Sequence, residues 1–577
     1  MSPDSHPQLS LRLPVWRTRL VLLVLVLGFL GLGVRAAVLQ GMQRDELQAQ
    51  GEMRYGRVLA MAAHRGLITD RNGEPLAVST PVQSIALGPS KFEITADQRI
   101  RLAALLELDR ADLERRIEQG RRGFVYLRRH IAPEQADRVM QVGAPGVLAQ
   151  TEHRRYYPAG DVLAHVLGFT DVDDKGQEGV ELAFEDVLAG KPGSRRVIQD
   201  RRGRVIEDVE SVRAPRQGQD VVLSIDLRLQ YLAYRELKNA VAANNARAGS
   251  IVVLDPNTGE VLALANAPAY NPNNRAHYDT GRARNRALVD LFEPGSTLKP
   301  FTVAAALESG LYRPESVIQT AGGALTIGNR TIHDAHASAT NLTVSQVIQI
   351  SSNVGTARMA LSLPPQDLWQ VLSTSGFGAV PRSGFPGEAG GRLRDPQSWK
   401  PIEQATMSYG HGISVSLMQL ARAYTIFCHD GSLLPLSLLR RTGPVTGLPV
   451  ISPRTAADLR GMLQLVTQAG GTAPAAQVTG YRVAGKTGTA HKLVNGQYAP
   501  DRYVSSFVGF APATRPRLIV AVMIDEPTAG QHYGGKVAAP VASAVLAGAL
   551  RVLAVPPDLP VTRTPLPEMR DAVPEEV

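Results

Sequence analysis

The chain has 577 residues, more than one compact core holds, so two or three domains are expected. Its 44% hydrophobic and 20% charged residues are ordinary for a globular protein, and 39 prolines with 53 glycines exclude a plain helical bundle. A net charge of +9 favours anionic surroundings such as a membrane surface or cell wall; the arginine pairs (Arg121-Arg122, Arg128-Arg129, Arg154-Arg155, Arg201-Arg202) are scattered and lack interleaved aromatics, which argues against nucleic acid.

In chain order, Leu20 to Val34 is an uncharged apolar run, preceded by Trp16, Arg17 and Arg19 and resumed after Arg35 by Ala36 to Leu39. It is short for a spanning helix and long for the apolar region of a signal peptide, and Val34-Arg35-Ala36 is a poor cleavage site. The expectation is an uncleaved anchor over 20–39, with 1–19 in the cytoplasm and the remainder outside, although Arg44, Arg54 and Arg57 blur the charge asymmetry. Arg65 to Ser79 reads as two apolar runs around an Asn72-Gly73 turn. Asp97 to Leu108 and Ala111 to Gln119 look helical, Gly176 to Asp208 reads as turns and short strands, and 40–215 forms a non-catalytic domain.

From 216 the character changes. Asp226 to Asn244 has the spacing of an amphipathic helix with Asp226 as N-cap. Ser250 to Ala267 reads as strand, turn, strand, reversing at Pro256 and Gly259; Val504 to Phe510 and Leu518 to Asp525 are further strands, and Ala539 to Leu553 a closing helix. Strands and a helix at both ends of 216–555, around mostly helical sequence, predict one antiparallel sheet in an α/β sandwich. Gly376 to Asp395 reads as loop, and the Pro-rich, acidic 556–577 as a disordered tail. The single cysteine, Cys428, excludes an internal disulfide; beside His429 and Asp430 it suggests a thiol nucleophile, but a small apolar residue in a helix starting near Ser416 accounts for it.

Three short patterns carry chemistry: Ser296-Thr297-Leu298-Lys299, Ser351-Ser352-Asn353 and Lys486-Thr487-Gly488-Thr489. A chain this long shows roughly 0.5 chance S-x-x-K matches, about one S-x-N and about 0.1 K-[ST]-G, so each alone is weak and the trio is not. Only nine lysines are present, yet two complete these patterns. Glu293-Pro294-Gly295 is a turn that sets Ser296 at a helix start, near the positive end of the helix dipole and with a free backbone N–H. Lys299, one turn on, shares its face, so its amine is expected within reach of the hydroxyl; it serves as a base only if burial or a second cation such as Lys486 keeps it neutral. Alone, the pair also reads as an N-capping serine and a solvated lysine. Val483 to Ala490 reads as a strand, with Lys486 and Gly488 on one face and Thr487 and Thr489 on the other. Only a twisted edge strand along a groove brings lysine and both threonines to one ligand, with Gly488 admitting substrate backbone and a strand N–H completing an oxyanion hole. Ser351 and Asn353 follow the helical Leu342 to Ile350; a proton relay and an amide clamp on substrate or Lys299 compete there with helix capping.

These motifs match the serine penicillin-binding proteins and β-lactamases. FEPGSTLKPF, QISSNVGTARMA, AGKTGTAHK, RGLITDRNGEPLA, RRYYPAGDVLAHVLGFTDVDDKGQEGVELAFEDVLAG and YVSSFVGFAP together resemble class B penicillin-binding proteins, specifically the FtsI-like septal D,D-transpeptidases, over nearly all the chain after the anchor. The resemblance implies a transpeptidase domain at 216–555, a pedestal of the dimerisation type at 40–215 that includes Arg65 and Gly66, and no cofactor. It implies Ser296 as acylated nucleophile, Lys299 as base, and Ser351, Asn353 and Lys486 lining the cleft. Lys486, Thr487 and Thr489 would bind the substrate carboxylate, with Gly488 in the same substrate-binding strand, and the backbone N–H groups of Ser296 and Thr489 would form the oxyanion hole. Donor stems would end D-Ala-D-Ala, β-lactams would acylate the serine, an FtsW-type glycosyltransferase and other division proteins would be membrane partners, and the catalytic domain would lie in the periplasm below a single inner-membrane span. His411 and His532 stand where relatives often carry tyrosine. His333, Asp334 and His336 suggest a metal site, but no fourth ligand is evident. Rival readings are a D,D-carboxypeptidase or β-lactamase-like hydrolase, or a non-catalytic division scaffold.

Overall fold

A computed structural model describes residues 15–44, 56–61, 63–88, 93–199, 205–276, 278–335, 339–494 and 496–560. His336, Arg54, the first fourteen residues of the expected cytoplasmic tail and 561–577 of the expected disordered tail lie outside them. An apolar helix, Val15–Ala37, continues as a π-helical turn, Val38–Met42, with no buried residue in either. Its length and apolarity make it a candidate single span.

The chain divides into two compact units. One comprises residues 1–63, 82–152 and 191–216. Helices Ala96–Leu106, Arg110–Arg122 and Pro133–Gln141 there bury Leu102, Leu106, Leu113, Ile117 and Val139 with Ile85, Leu127 and Ile131. The first starts at a capping box, Thr95 with Gln98, which satisfies two otherwise orphaned N–H groups.

The other unit comprises 64–81, 153–190 and 217–577. Its Asn72-Gly73 turn joins paired strands, with Gly73 at φ +93. The Gly176 to Asp208 stretch meets expectation in part: Gly193–Gln199 and Val205–Arg213 are strands, but Gly179–Ala183 and Glu185–Leu188 are helical, each too short to leave a 3.6-residue period. Asp226 caps helix Leu227–Ala243 by accepting from the Arg228 amide. The expected hairpin is Ala248–Leu254 with Val261–Ala267, turning through Gly259 at φ +69.

These strands begin a five-stranded antiparallel sheet in the order Val261–Ala267, Ala248–Leu254, Leu518–Asp525, Gln497–Ala511, Ala484–Val494. Every residue of the first three strands is buried, so helices must cover both faces. Leu227–Ala243 and Ala539–Val552 pack together on the sheet, and Leu417–Ala423 also packs against it. Cys428 ends a short buried helix following Ser416-capped Leu417–Ala423, and burial pushes its thiol pKa up, consistent with packing rather than nucleophilic chemistry. The strand carrying Lys486 is the sheet edge, so among the described residues no strand pairs with one side of its backbone ladder.

Candidate active site

Ser296 lies in a tight 3₁₀ turn, Gly295–Leu298, that runs straight into helix Lys299–Glu308. Gly295 has φ +54, a conformation that favours glycine, and its N–H donates to the Gly410 carbonyl at 3.2 Å. Beneath the turn, Tyr424 donates to the Thr297 carbonyl (2.8 Å) and Thr302 to that of Ser408 (2.7 Å). The half-buried Ser296 hydroxyl has no hydrogen-bond partner among the described residues.

Lys299 and Lys486 are both 0% exposed. Their amines meet at Ser351. Lys299 Nζ donates to the Ser351 carbonyl (2.5 Å) and hydroxyl (3.1 Å), and Lys486 Nζ donates to the same hydroxyl (2.9 Å). The hydrogen bonds of the Lys299 amine thus go to the Ser351 loop. Burial first, then the neighbouring Lys486 charge, drives the Lys299 pKa well below the ordinary lysine value, against the pull of Asp334. Burial lowers Lys486 to about 7. Ser351 itself sits at φ +65, a strained backbone for a non-glycine residue, of the kind that clusters at functional sites.

The following turn is capped twice. Ser352 begins helix Asn353–Leu361 by accepting from the Gly355 amide, and Asp334 accepts from the Ser352 hydroxyl (2.8 Å) and the Val354 amide (2.9 Å). Asn353 Nδ2 donates to the His333 carbonyl at 2.9 Å rather than to Lys299. Asp334 is therefore a loop anchor, and no metal-binding cluster exists among the described residues.

On the edge strand, Gly488 lies against the serine-bearing turn. A Cβ there would lie 2.4 Å from Ser506 Oγ, 2.7 Å from the Pro294 carbonyl and 3.0 Å from Thr297 Cγ2. The glycine admits the serine-bearing turn. Strand alternation holds: Lys486 and Gly488 face Ser351 and that turn, while Thr487 Oγ1 lies 2.8 Å from Thr472 Oγ1 and Thr489 Oγ1 accepts from the Gly534 amide at 3.0 Å. Thr487 Oγ1 is nonetheless 3.5 Å from Lys486 Nζ, and a Cβ on Gly295 would be 3.3 Å from the Thr489 carbonyl, so serine turn, lysine and both threonines adjoin.

Sequence reasoning missed three supports. Glu293 accepts from the Gly412 amide (2.8 Å), from His411 Nδ1 (3.1 Å) and from the Tyr498 hydroxyl (3.0 Å), tying the hairpin end to the residue three before Ser296. His532 stacks on Tyr503 at 3.9 Å beside this strand. Thr472, which no sequence pattern singled out, lies 2.8 Å from Thr487 across hydroxyl oxygens.

Residues 249–547 match the family described as penicillin binding protein transpeptidase domain, and 60–223 the penicillin-binding protein dimerisation domain. The chain is 42% identical over 550 residues to a probable peptidoglycan D,D-transpeptidase, PenA, of Neisseria meningitidis, covering 95% of this chain and 94% of the relative. It is 42% identical to the peptidoglycan D,D-transpeptidase FtsI of Escherichia coli, covering 94% and 93%. A solved structure of penicillin binding protein 3 from Mycobacterium tuberculosis, complexed with aztreonam, aligns with TM-score 0.68 at 27% identity, covering 87% of this chain and 99% of that one. With a family match over more than half its length and full-length relatives, the chain belongs to the penicillin-binding protein transpeptidases, of class B.

Proposed function

We propose that this protein is a peptidoglycan D,D-transpeptidase that cross-links stem peptides through an acyl-enzyme on Ser296. The carrying observation is the hydrogen-bond count at Lys299. A neutral amine has two N–H groups and one lone pair; both N–H groups are engaged by Ser351, and the lone pair is left for the neighbouring Ser296 hydroxyl. As Ser296 Oγ attacks the carbonyl of the penultimate D-Ala, its proton passes to Lys299 Nζ. The oxyanion is taken by the Ser296 and Thr489 backbone N–H groups. Ser351 Oγ, accepting from both lysines, has its own proton free for the departing D-Ala nitrogen, and is resupplied through Lys299. The terminal carboxylate is held by Lys486, Thr487 and Thr489. An amine of a second stem then attacks the ester, and the same groups act in reverse.

The same reading assigns 216–555 to the transpeptidase domain, 40–215 to the pedestal and 20–39 to a single inner-membrane span, with 1–19 cytoplasmic and the catalytic domain periplasmic. The FtsI-type relative supports a role at the septum, where an FtsW-type polymerase would supply uncross-linked glycan. The test is to incubate purified full-length protein with a fluorescent penicillin, map the adduct, and then supply a D-Ala-D-Ala donor with and without an amine acceptor. An adduct on Ser296 and acceptor-dependent dimer are expected; rapid drug turnover, or release of D-Ala without dimer, would identify a hydrolase instead.

A further inference from the structure

Thr472 follows a tight loop that fixes it on several sides. Gly470 has φ +81, a Cβ on Gly471 would lie 2.2 Å from the Val466 carbonyl, and the Ala473 amide donates to that same carbonyl at 2.9 Å. Across from it, a Cβ on Gly535 would stand 2.1 Å from the Thr472 carbonyl. The half-buried side chain so held makes one contact of note, its hydroxyl 2.8 Å from Thr487 Oγ1. Thr487 is 8% exposed, and Lys486 Nζ, a donor, lies 3.5 Å from the same oxygen.

A threonine hydroxyl has one proton and two lone pairs. Either hydroxyl of the Thr472–Thr487 pair can donate; with Thr472 and Lys486 both donating to Thr487 Oγ1, its two lone pairs are filled and its own proton is left for a further acceptor. We propose that Thr472 is a positioning residue for the transpeptidase reaction, orienting the Thr487 hydroxyl as a donor to the substrate's terminal carboxylate. This rests on the reading of Thr487 as part of the carboxylate site. The side chain touches no substrate itself; it acts by polarising and aiming its neighbour.

The test compares second-order acylation of the full-length protein by benzylpenicillin, which carries the carboxylate, and by its methyl ester, which does not. Thr472→Val is expected to slow acylation by the acid about tenfold, in the range of one hydrogen bond to a charged group. The ester, already slow with wild type, should react equally with the variant. Thr472→Ser should stay within about twofold of wild type on both ligands, and Thr472→Ala should repeat the acid-selective loss, so the result does not hang on the folding of one variant. Equal loss on acid and ester would make Thr472 a packing residue, and no loss on the acid would make it dispensable; either overturns the proposal. A wild type that takes up neither ligand at Ser296 defeats the transpeptidase reading itself.

Discussion

Lys299 and Lys486 converge on one oxygen, the hydroxyl of Ser351, at 3.1 and 2.9 Å, and neither lysine is exposed. Two ammonium ions cannot share so dry a site cheaply, so they titrate as a pair. Lys299 has to be neutral to accept the Ser296 proton and Lys486 charged to hold a carboxylate. Acylation should fall towards acid as Lys299 is protonated, at a pH well below the ordinary lysine value, and towards alkali as Lys486 loses its proton, near about 7. A pH profile of the second-order rate checks this; an alkaline limb near the 10.5 of a free lysine would contradict the burial argument.

Removing the nucleophile tests the centre of the scheme. Ser296→Ala should lose roughly 10³-fold or more of acylation while melting near the wild-type temperature, because the half-buried hydroxyl has no protein partner among the described residues. Intact mass after drug exposure gives the answer, and an adduct persisting in this variant would move the nucleophile elsewhere.

Ser351 offers a cleaner separation of hydroxyl from backbone. Ser351→Gly relaxes the strain of φ +65 and Ser351→Ala keeps it, yet both delete the oxygen shared by the lysines. Both should lower the acylation rate by about 10²-fold, the scale of one proton-transfer group. A normal rate in either variant would remove Ser351 from the proton path.

Gly488→Ala should shift the edge strand off the serine turn, because the new methyl collides with Ser506 Oγ and the Pro294 carbonyl. Overpacking of this kind costs about 1–3 kcal/mol, so a lowered Tm and an acylation rate down at least about tenfold are expected. Gly443→Ala, with open space around its Cβ, serves as the control and should match wild type in both measurements.

Much of this arrangement was legible in the residues. Apolar runs broken at Pro256 and Gly259 revealed a hairpin, and Asp226 its helix, because strand period, turn chemistry and capping are local. The motif residues were legible as types of chemistry. Their partners were not, since these depend on which distant segments the fold brings together. Gly488 meets the Pro294 carbonyl and Ser506, Asp334 caps a helix, and Lys299 reaches a serine in another loop, none of which a local pattern carries. Tyr498 carried no signal at all, since its hydroxyl meets Glu293 only once the edge hairpin folds over. Tyr498→Phe should weaken drug acylation a few-fold through the binding step, the effect of one hydrogen bond worth about 1 kcal/mol, with little change in the maximal rate.

Because burial is the largest influence on both amines, the medium has little grip on them. Mobile ions damp the interaction of charges that face water, over about 10 Å at 0.1 M, and reach buried groups far less. With Lys299 and Lys486 sealed at 0% exposure, the charge balance between the two amines is insulated from the salinity of the surrounding fluid.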